Sequence, residues 1–140
     1  MKLVVDSNVL VSGALWDGPS ARLVSAILAG RAQMFFSEPL LSEFSDVLRR
    51  PKFAERLTLR RESADSIVAR FRAACFETTP GPLAPPKELR DPDDVHVLAC
   101  ALAAGADAIV SGDKDLLTLR SFRGIPIMNA VDALKRLGLE

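Results

Sequence analysis

The sequence predicts an α/β fold in which a parallel sheet of short strands is covered by helices on both faces. Two observations carry this prediction. Strand-like and helix-like segments alternate along the chain, and each strand is a short continuous apolar run, the pattern of a sheet buried on both faces. Length agrees: 140 residues make one ordinary domain, and 49% hydrophobic residues suffice for a real core.

Lys2 to Val5 reads as a buried strand ending in Asp6. Val9 to Leu15 and Ser20 to Ala29 read as helices, broken at Asp17-Gly18-Pro19 and stopped at Gly30. Gln33 to Phe36 is a second strand. Ser37 then offers an N-cap, and Pro39 stands in the first turn of a helix running to about Arg50 and stopped by Pro51. Further helices fit Phe53 to Leu57 and Arg60 to Cys75. Thr78 to Arg90 holds four prolines and one glycine and reads as a long surface loop within one domain, 1–140. Asp91-Pro92 opens a helix whose apolar positions Val95, Leu98, Ala99 and Leu102 follow the 3.6 period, and Gly105 ends it. Ala108 to Ser111 and Ile125 to Met128 are strands, Asp113-Lys114-Asp115 is a turn, and Asn129 caps a last helix ending at Gly138.

Composition excludes some classes. No apolar run approaches the ~18 residues of a membrane span, and the apolar start is too short for a signal peptide. Cys75 and Cys100 lack CxxC or Cys/His spacing and read as buried free thiols of a cytoplasmic protein. The 18 basic and 18 acidic residues balance, which argues against a grip on nucleic acid by bulk positive charge. Their distribution is uneven. Arg49, Arg50, Lys52, Arg56, Arg60, Arg61, Arg70 and Arg72 crowd into one stretch, either a solvated helical face or a surface for phosphates, with Arg49, Arg50 and Lys52 the candidates for substrate contact.

Ligands of an open parallel sheet sit beyond the carboxyl ends of its strands. That rule selects Asp6, which ends the first strand, and Asp113, just past Ser111. Asp94 lies in the first turn of the helix opened by Asp91-Pro92, and Glu43 borders the helical face made by Leu40, Phe44 and Val47. Gathered in one cleft, four carboxylates repel one another unless a cation neutralises them. An all-oxygen set selects Mg²⁺ or Mn²⁺ over zinc, and such an ion activates water and stabilises charge on a phosphate oxygen. Phosphodiester hydrolysis is the natural reaction. Each acid also has a plain structural reading. Asp91 and Asp94 make a near match to a capping box, Asp6 could cap the following helix, Glu43 could be an exposed helical carboxylate, and Asp113 and Asp115 suit a turn. His96 reads as a partly exposed helical histidine or a substrate contact, and Trp16 as core, dimer surface or a platform for a base.

Four blocks in this order resemble the PIN-domain ribonucleases: Val4-Val5-Asp6-Ser7-Asn8-Val9-Leu10; Glu43 after the second strand; Arg90-Asp91-Pro92-Asp93-Asp94 before Leu98-Ala99-Cys100-Ala101-Leu102; and Ile109-Val110-Ser111-Gly112-Asp113-Lys114-Asp115-Leu116-Leu117. The third and fourth look like the VapBC-like branch of toxins in toxin–antitoxin pairs. The resemblance implies a three-layer α/β/α sandwich with a central parallel sheet and Mg²⁺- or Mn²⁺-dependent cleavage of RNA. It places the family's four acids on Asp6, Glu43, Asp94 and Asp113, with Asn8 orienting the first acid or a bound water. Asp115 is an auxiliary acid, and so are Asp91 and Asp93; a slip of one register would put Asp93 in place of Asp94. Ser111 stands where many relatives carry threonine. A cognate antitoxin and a homodimer are implied in the same way. The alternatives are a catalytically silent PIN-like domain binding RNA or protein, and a phosphotransfer domain of receiver or dehalogenase type. Asn8 in place of a second aspartate, and Lys114 inside the acidic turn, weigh against the phosphotransfer reading.

Overall fold

The computed structural model describes residues 1–140 apart from 85, 88 and 90–93. In chain order the elements are β1 (Lys2–Val5), α1 (Ser7–Leu15), α2 (Pro19–Leu28), β2 (Gln33–Phe36), α3 (Glu38–Leu48), a 3₁₀ turn (Pro51–Phe53), α4 (Ala54–Leu59), α5 (Ala64–Ala74) and β3 (Phe76–Glu77). After these come α6 (Asp94–Ala104), β4 (Ala108–Val110), α7 (Lys114–Leu119), β5 (Ser121–Phe122), β6 (Ile125–Met128) and α8 (Ala130–Leu137). The sheet runs β3-β2-β1-β4-β6-β5. All neighbours are parallel except β5 and β6.

Side-chain alternation along the strands separates two cores and makes the three layers. On one face Leu3 and Val5 of β1, Ala108 and Val110 of β4, and Met34 and Phe36 of β2 pack under α1, α2, α5 and α8. On the other face Val4, Ile109 and Ile127 pack under α6 and α7 through Val97, Leu98, Cys100, Ala101 and Leu116. Helix α3 serves both, with Leu40 in the second core and Leu41, Phe44, Val47 and Leu48 in the first. The fold is therefore an α/β/α sandwich, as the apolar strand runs predict. Among the described residues no helix is long and apolar enough to cross a membrane.

The departures from prediction have local causes. The sheet is mixed, because Arg123 and Gly124 take positive φ (48° and 82°) and fold β5 back on β6 as a two-residue hairpin. Helix α1 starts at Ser7 rather than Val9, and α3 ends at Leu48. Helix α5 starts at Ala64 rather than Arg60, because Ser63 and Ser66 form a reciprocal capping box with both bonds at 3.0 Å. The Asp113-Lys114-Asp115 turn instead opens α7, with Asp113 as its N-cap. The opening of the α6 helix at Asp91-Pro92 lies outside the described residues; the helix is described from Asp94. Prediction and structure agree on Ser37, which accepts from the Leu40 amide at 3.3 Å, and on Asn129, which accepts from the Asp132 amide at 2.9 Å.

One close approach fixes how the first layer sits. A Cβ at Gly13 of α1 would stand 2.5 Å from the Ser20 carbonyl oxygen and 2.4 Å from a Val24 methyl of α2. Glycine lets the two backbones meet.

Candidate active site

Strands β1 and β4 lie side by side in parallel, with Val5 opposite Val110. From β1 the sheet extends through β2 to β3, and from β4 through β6 to β5. The boundary between them is the topological switch point, where an open sheet leaves a crevice past its strand ends. The chain stays latched there after each strand: the Asp6 amide donates to the Val110 carbonyl and the Ser111 amide to the Met128 carbonyl, both at 2.9 Å. Asp6 and Ser111 are thereby buried side by side, 4% and 0% exposed. The Ser111 hydroxyl donates to Oδ2 of Asp6 at 2.9 Å and accepts from the Asp113 amide at 3.0 Å. Asp113 in turn accepts the Asp115 amide on Oδ1 at 2.8 Å. A relay of fixed polar groups thus runs from Asp6 to the start of α7.

Burial pushes the Asp6 carboxyl above its ordinary pKa of 3.8, the Ser111 donor opposes that, and the charge of Asp113 reinforces it. The amides of Ser7 and Asn8 at the start of α1 also oppose it, and more weakly. The protein keeps a carboxylate where its charged form is disfavoured, a recurrent sign of a functional site.

Asn8 is exposed on the first turn of α1. Glu43 is half-buried on α3 and lines a small cleft with Ser42, Asp46, Pro39 and His96. Asp94 is buried at the first position of α6, 7% exposed. Helix α3 packs against both α1 and α6, and α6 crosses β1, β2 and β4. Asp91 and Asp93 lie outside the described residues. Hydrogen bonding joins Asp6, Ser111, Asp113 and Asp115; Glu43 and Asp94 stand on α3 and α6. Among the described residues no three Asp, Glu, His or Cys side chains are close enough to share a metal ion.

A family model, PIN domain, matches residues 2–115. The chain belongs to the PIN-domain family. PIN domains are generally nucleases or hydrolases. Two solved structures share this PIN fold. One is VapBC2 from Rickettsia felis bound to a DNA fragment from its promoter: TM-score 0.58, 11% identity, covering 92% of this chain and 98% of that one. The other is PAE2754 from Pyrobaculum aerophilum: TM-score 0.58, 15% identity, covering 100% of this chain and 91% of that one. No curated protein matches by sequence.

In this PIN domain the donor chemistry fits a hard divalent cation. The charge of the half-buried Asp113 acts against that of the buried Asp6, and a cation would relieve that repulsion. Burial pushes both free thiols, Cys75 and Cys100, up to about 12, which disfavours thiolate ligation. Sequence reasoning noted Ser111 only as standing where many relatives carry threonine, and gave it no role in the site. Its signal was a hydroxyl placed directly after the apolar run Ile109-Val110.

The arginine stretch serves mostly as structure. Arg56 and Arg60 both donate to the Leu15 carbonyl, at 2.6 and 3.1 Å, and Arg60 also reaches Asp17 at 3.2 Å. Arg49 pairs with Asp65, Arg70 with Glu62 and Arg72 with Glu38. Lys52 lies over the Phe53 ring, and Arg50 is exposed before the 3₁₀ turn. Trp16, 40% exposed, meets Phe53 edge-on and carries Arg56 over its ring.

Proposed function

We propose that this PIN domain, spanning 1–140 as one unit, is a Mg²⁺- or Mn²⁺-dependent endoribonuclease and the toxin of a toxin–antitoxin pair. The observation that carries the proposal is the buried Asp6, bonded to Ser111 and facing Asp113 at the switch point of the sheet. Asp6, Glu43, Asp94 and Asp113 are the residues that would hold the ion, with Asp115, Asp91 and Asp93 as auxiliary acids. When bound, such an ion lowers the pKa of a water and neutralises charge on a phosphate oxygen. Ser111 fixes the Asp6 carboxylate through Oδ2, and Asp113 commits Oδ1 to the start of α7. Asn8, exposed on the first turn of α1, would orient Asp6 or a bound water. Arg50, between α3 and the 3₁₀ turn, and Lys52, within that turn, are exposed and would contact backbone phosphates, with Arg49 available if its pair with Asp65 opens. The toxin role draws support from the shared fold with VapBC2; an antitoxin partner and a homodimer follow from that role. Two free, inert thiols suit the cytoplasm.

The test is cleavage of a pool of labelled structured RNAs in Mg²⁺, Mn²⁺ or EDTA by the native chain and Asp6→Asn. Cutting that needs metal and falls by at least ~100-fold in the variant supports the reading, a loss in keeping with removal of an electrostatic catalytic group. A folded native chain that binds metal and RNA without cutting would favour the silent binding domain instead. Cutting that survives both EDTA and the substitution would put the active centre elsewhere.

A further inference from the structure

A second cavity adjoins the Glu43 cleft. It measures about 350 Å³ and lies between the N-terminal half of α6 and the proline-rich segment after β3. Pro80, Pro82, Val95 and Ala99 give it apolar walls. Pro39 and His96 line both this cavity and the cleft of about 250 Å³ that holds Ser42, Glu43 and Asp46. They form the partition between an acidic space and a neutral one. Among the described residues no Asp, Glu, Lys or Arg side chain lines the neutral side.

This contrast separates what each space can hold. A phosphate requires cations or oriented donors, and the described residues of the neutral cavity offer no Asp, Glu, Lys or Arg; a phosphate belongs with the acids and their ion. A nucleobase requires flat apolar contact and a few hydrogen bonds at its edge. The prolines and Ala99 supply the first, and the imidazole of His96, which can stack, donate and accept, supplies the second. The volume lies near the lower end of the roughly 300–1,000 Å³ spanned by small-molecule sites, which suits a single base.

We propose that this cavity is a base-recognition subsite: it takes the nucleobase next to the phosphate being cut, with His96 reading the base edge and Ala99 as its floor. The inference rests on the nuclease reading above and adds a residue set that selects where the RNA is cut.

His96 is the only histidine, so the ring signal of the untagged chain reports this site alone in a proton–carbon NMR spectrum. The titrants are the four nucleoside 5′-monophosphates, with inorganic phosphate as the probe that has charge but no base, all at one fixed pH. The His96 signal should move with at least one nucleotide and stay still with phosphate, and filling the cavity by Ala99→Leu should abolish the shift. In cleavage of a randomised RNA pool, Ala99→Leu and His96→Ala should raise KM on the order of tenfold and flatten the base preference on one side of the cut, the scale on which apolar pockets discriminate. A signal that responds to phosphate as strongly as to nucleotides would overturn the subsite. So would an unchanged cut-site profile in both variants. Loss of cutting in Asp6→Asn together with an unchanged profile in Ala99→Leu would sink the subsite and leave the nuclease reading standing. A nucleotide-specific shift in a chain that cuts no RNA would overturn the nuclease reading and, with it, the subsite's role beside a cut phosphate.

Discussion

At the C-terminal end of α1 two guanidinium groups, Arg56 and Arg60, converge on the Leu15 carbonyl, whereas at its N-terminal end two acids, Asp6 and Asp113, are linked through Ser111, whose hydroxyl donates to the Asp6 carboxylate and accepts from the Asp113 amide. The first arrangement follows the helix dipole, since cations belong at a carbonyl-rich end. The second follows it in sign only. The amides of Ser7 and Asn8 favour a negative Asp6, but dipole effects of about 0.3–1 kcal/mol are overruled by burial and by Asp113, and the carboxyl is pushed up. One end of the helix is built to be satisfied; the other keeps a repulsion that a cation would relieve.

Three experiments break or sharpen this contrast. The largest effect belongs to the satisfied end. Removing both donors in Arg56→Ala with Arg60→Ala should cost about 1–3 kcal/mol in urea unfolding, with less than half of that from either variant alone, because the remaining arginine still occupies the carbonyl. Two single losses that add fully would mean the guanidiniums act independently.

The next effect has the opposite sign. Asp6→Asn should unfold at higher urea than the native chain at neutral pH in metal-free buffer. Because the native fold raises the Asp6 pKa above 3.8, it binds that proton more tightly than the unfolded chain. The stability from this group is complete below the unfolded value and lost as pH rises through the folded one. The advantage of the asparagine variant is therefore greatest near neutrality and closes as pH falls through the raised value towards 3.8. An advantage that does not change with pH would show that lost charge is not its source.

The smallest effect marks the background. Arg49 and Asp65 form an ion pair with 52% and 84% of their side chains exposed. Arg49→Ala should shift stability by no more than about 0.5 kcal/mol, as exposed pairs do, and still less in high salt. A larger loss would mean that the arginine stretch stabilises through charge in general, which would erase the distinction drawn at Leu15.

What the sequence disclosed depended on burial. Strands β1, β2, β4 and β6 were legible because each is an apolar run filling both cores, and Ser37 and Asn129 were legible as caps because their side chains bond locally. The two-residue strands β3 and β5 were missed. Phe76 is 48% exposed on the sheet edge, so no periodic pattern marks it. Helix α7 was read as a turn because Asp113 and Asp115 suit either, and it is Leu116, fully buried, that settles the matter. At the candidate site, the strand-end rule brought out Asp6 and Asp113 because parallel neighbours share their carboxyl ends. The hydroxyl joining them, and the neutral cavity beyond Pro39 and His96, depend on how α6 and β4 pack against elements distant in the chain, which no local spacing encodes.

That distance has a consequence during synthesis. Asp6 and Ser111 are 105 residues apart in sequence, and β1 pairs on one side with β4, which is made long after it. Contacts of such separation form late and slowly. A growing chain emerging from the ribosome, amid a dense field of RNA, therefore carries no assembled carboxylate pair until β4 has been translated and has docked. For a protein that we propose cuts RNA, the order of synthesis itself withholds the blade from the machine that makes it.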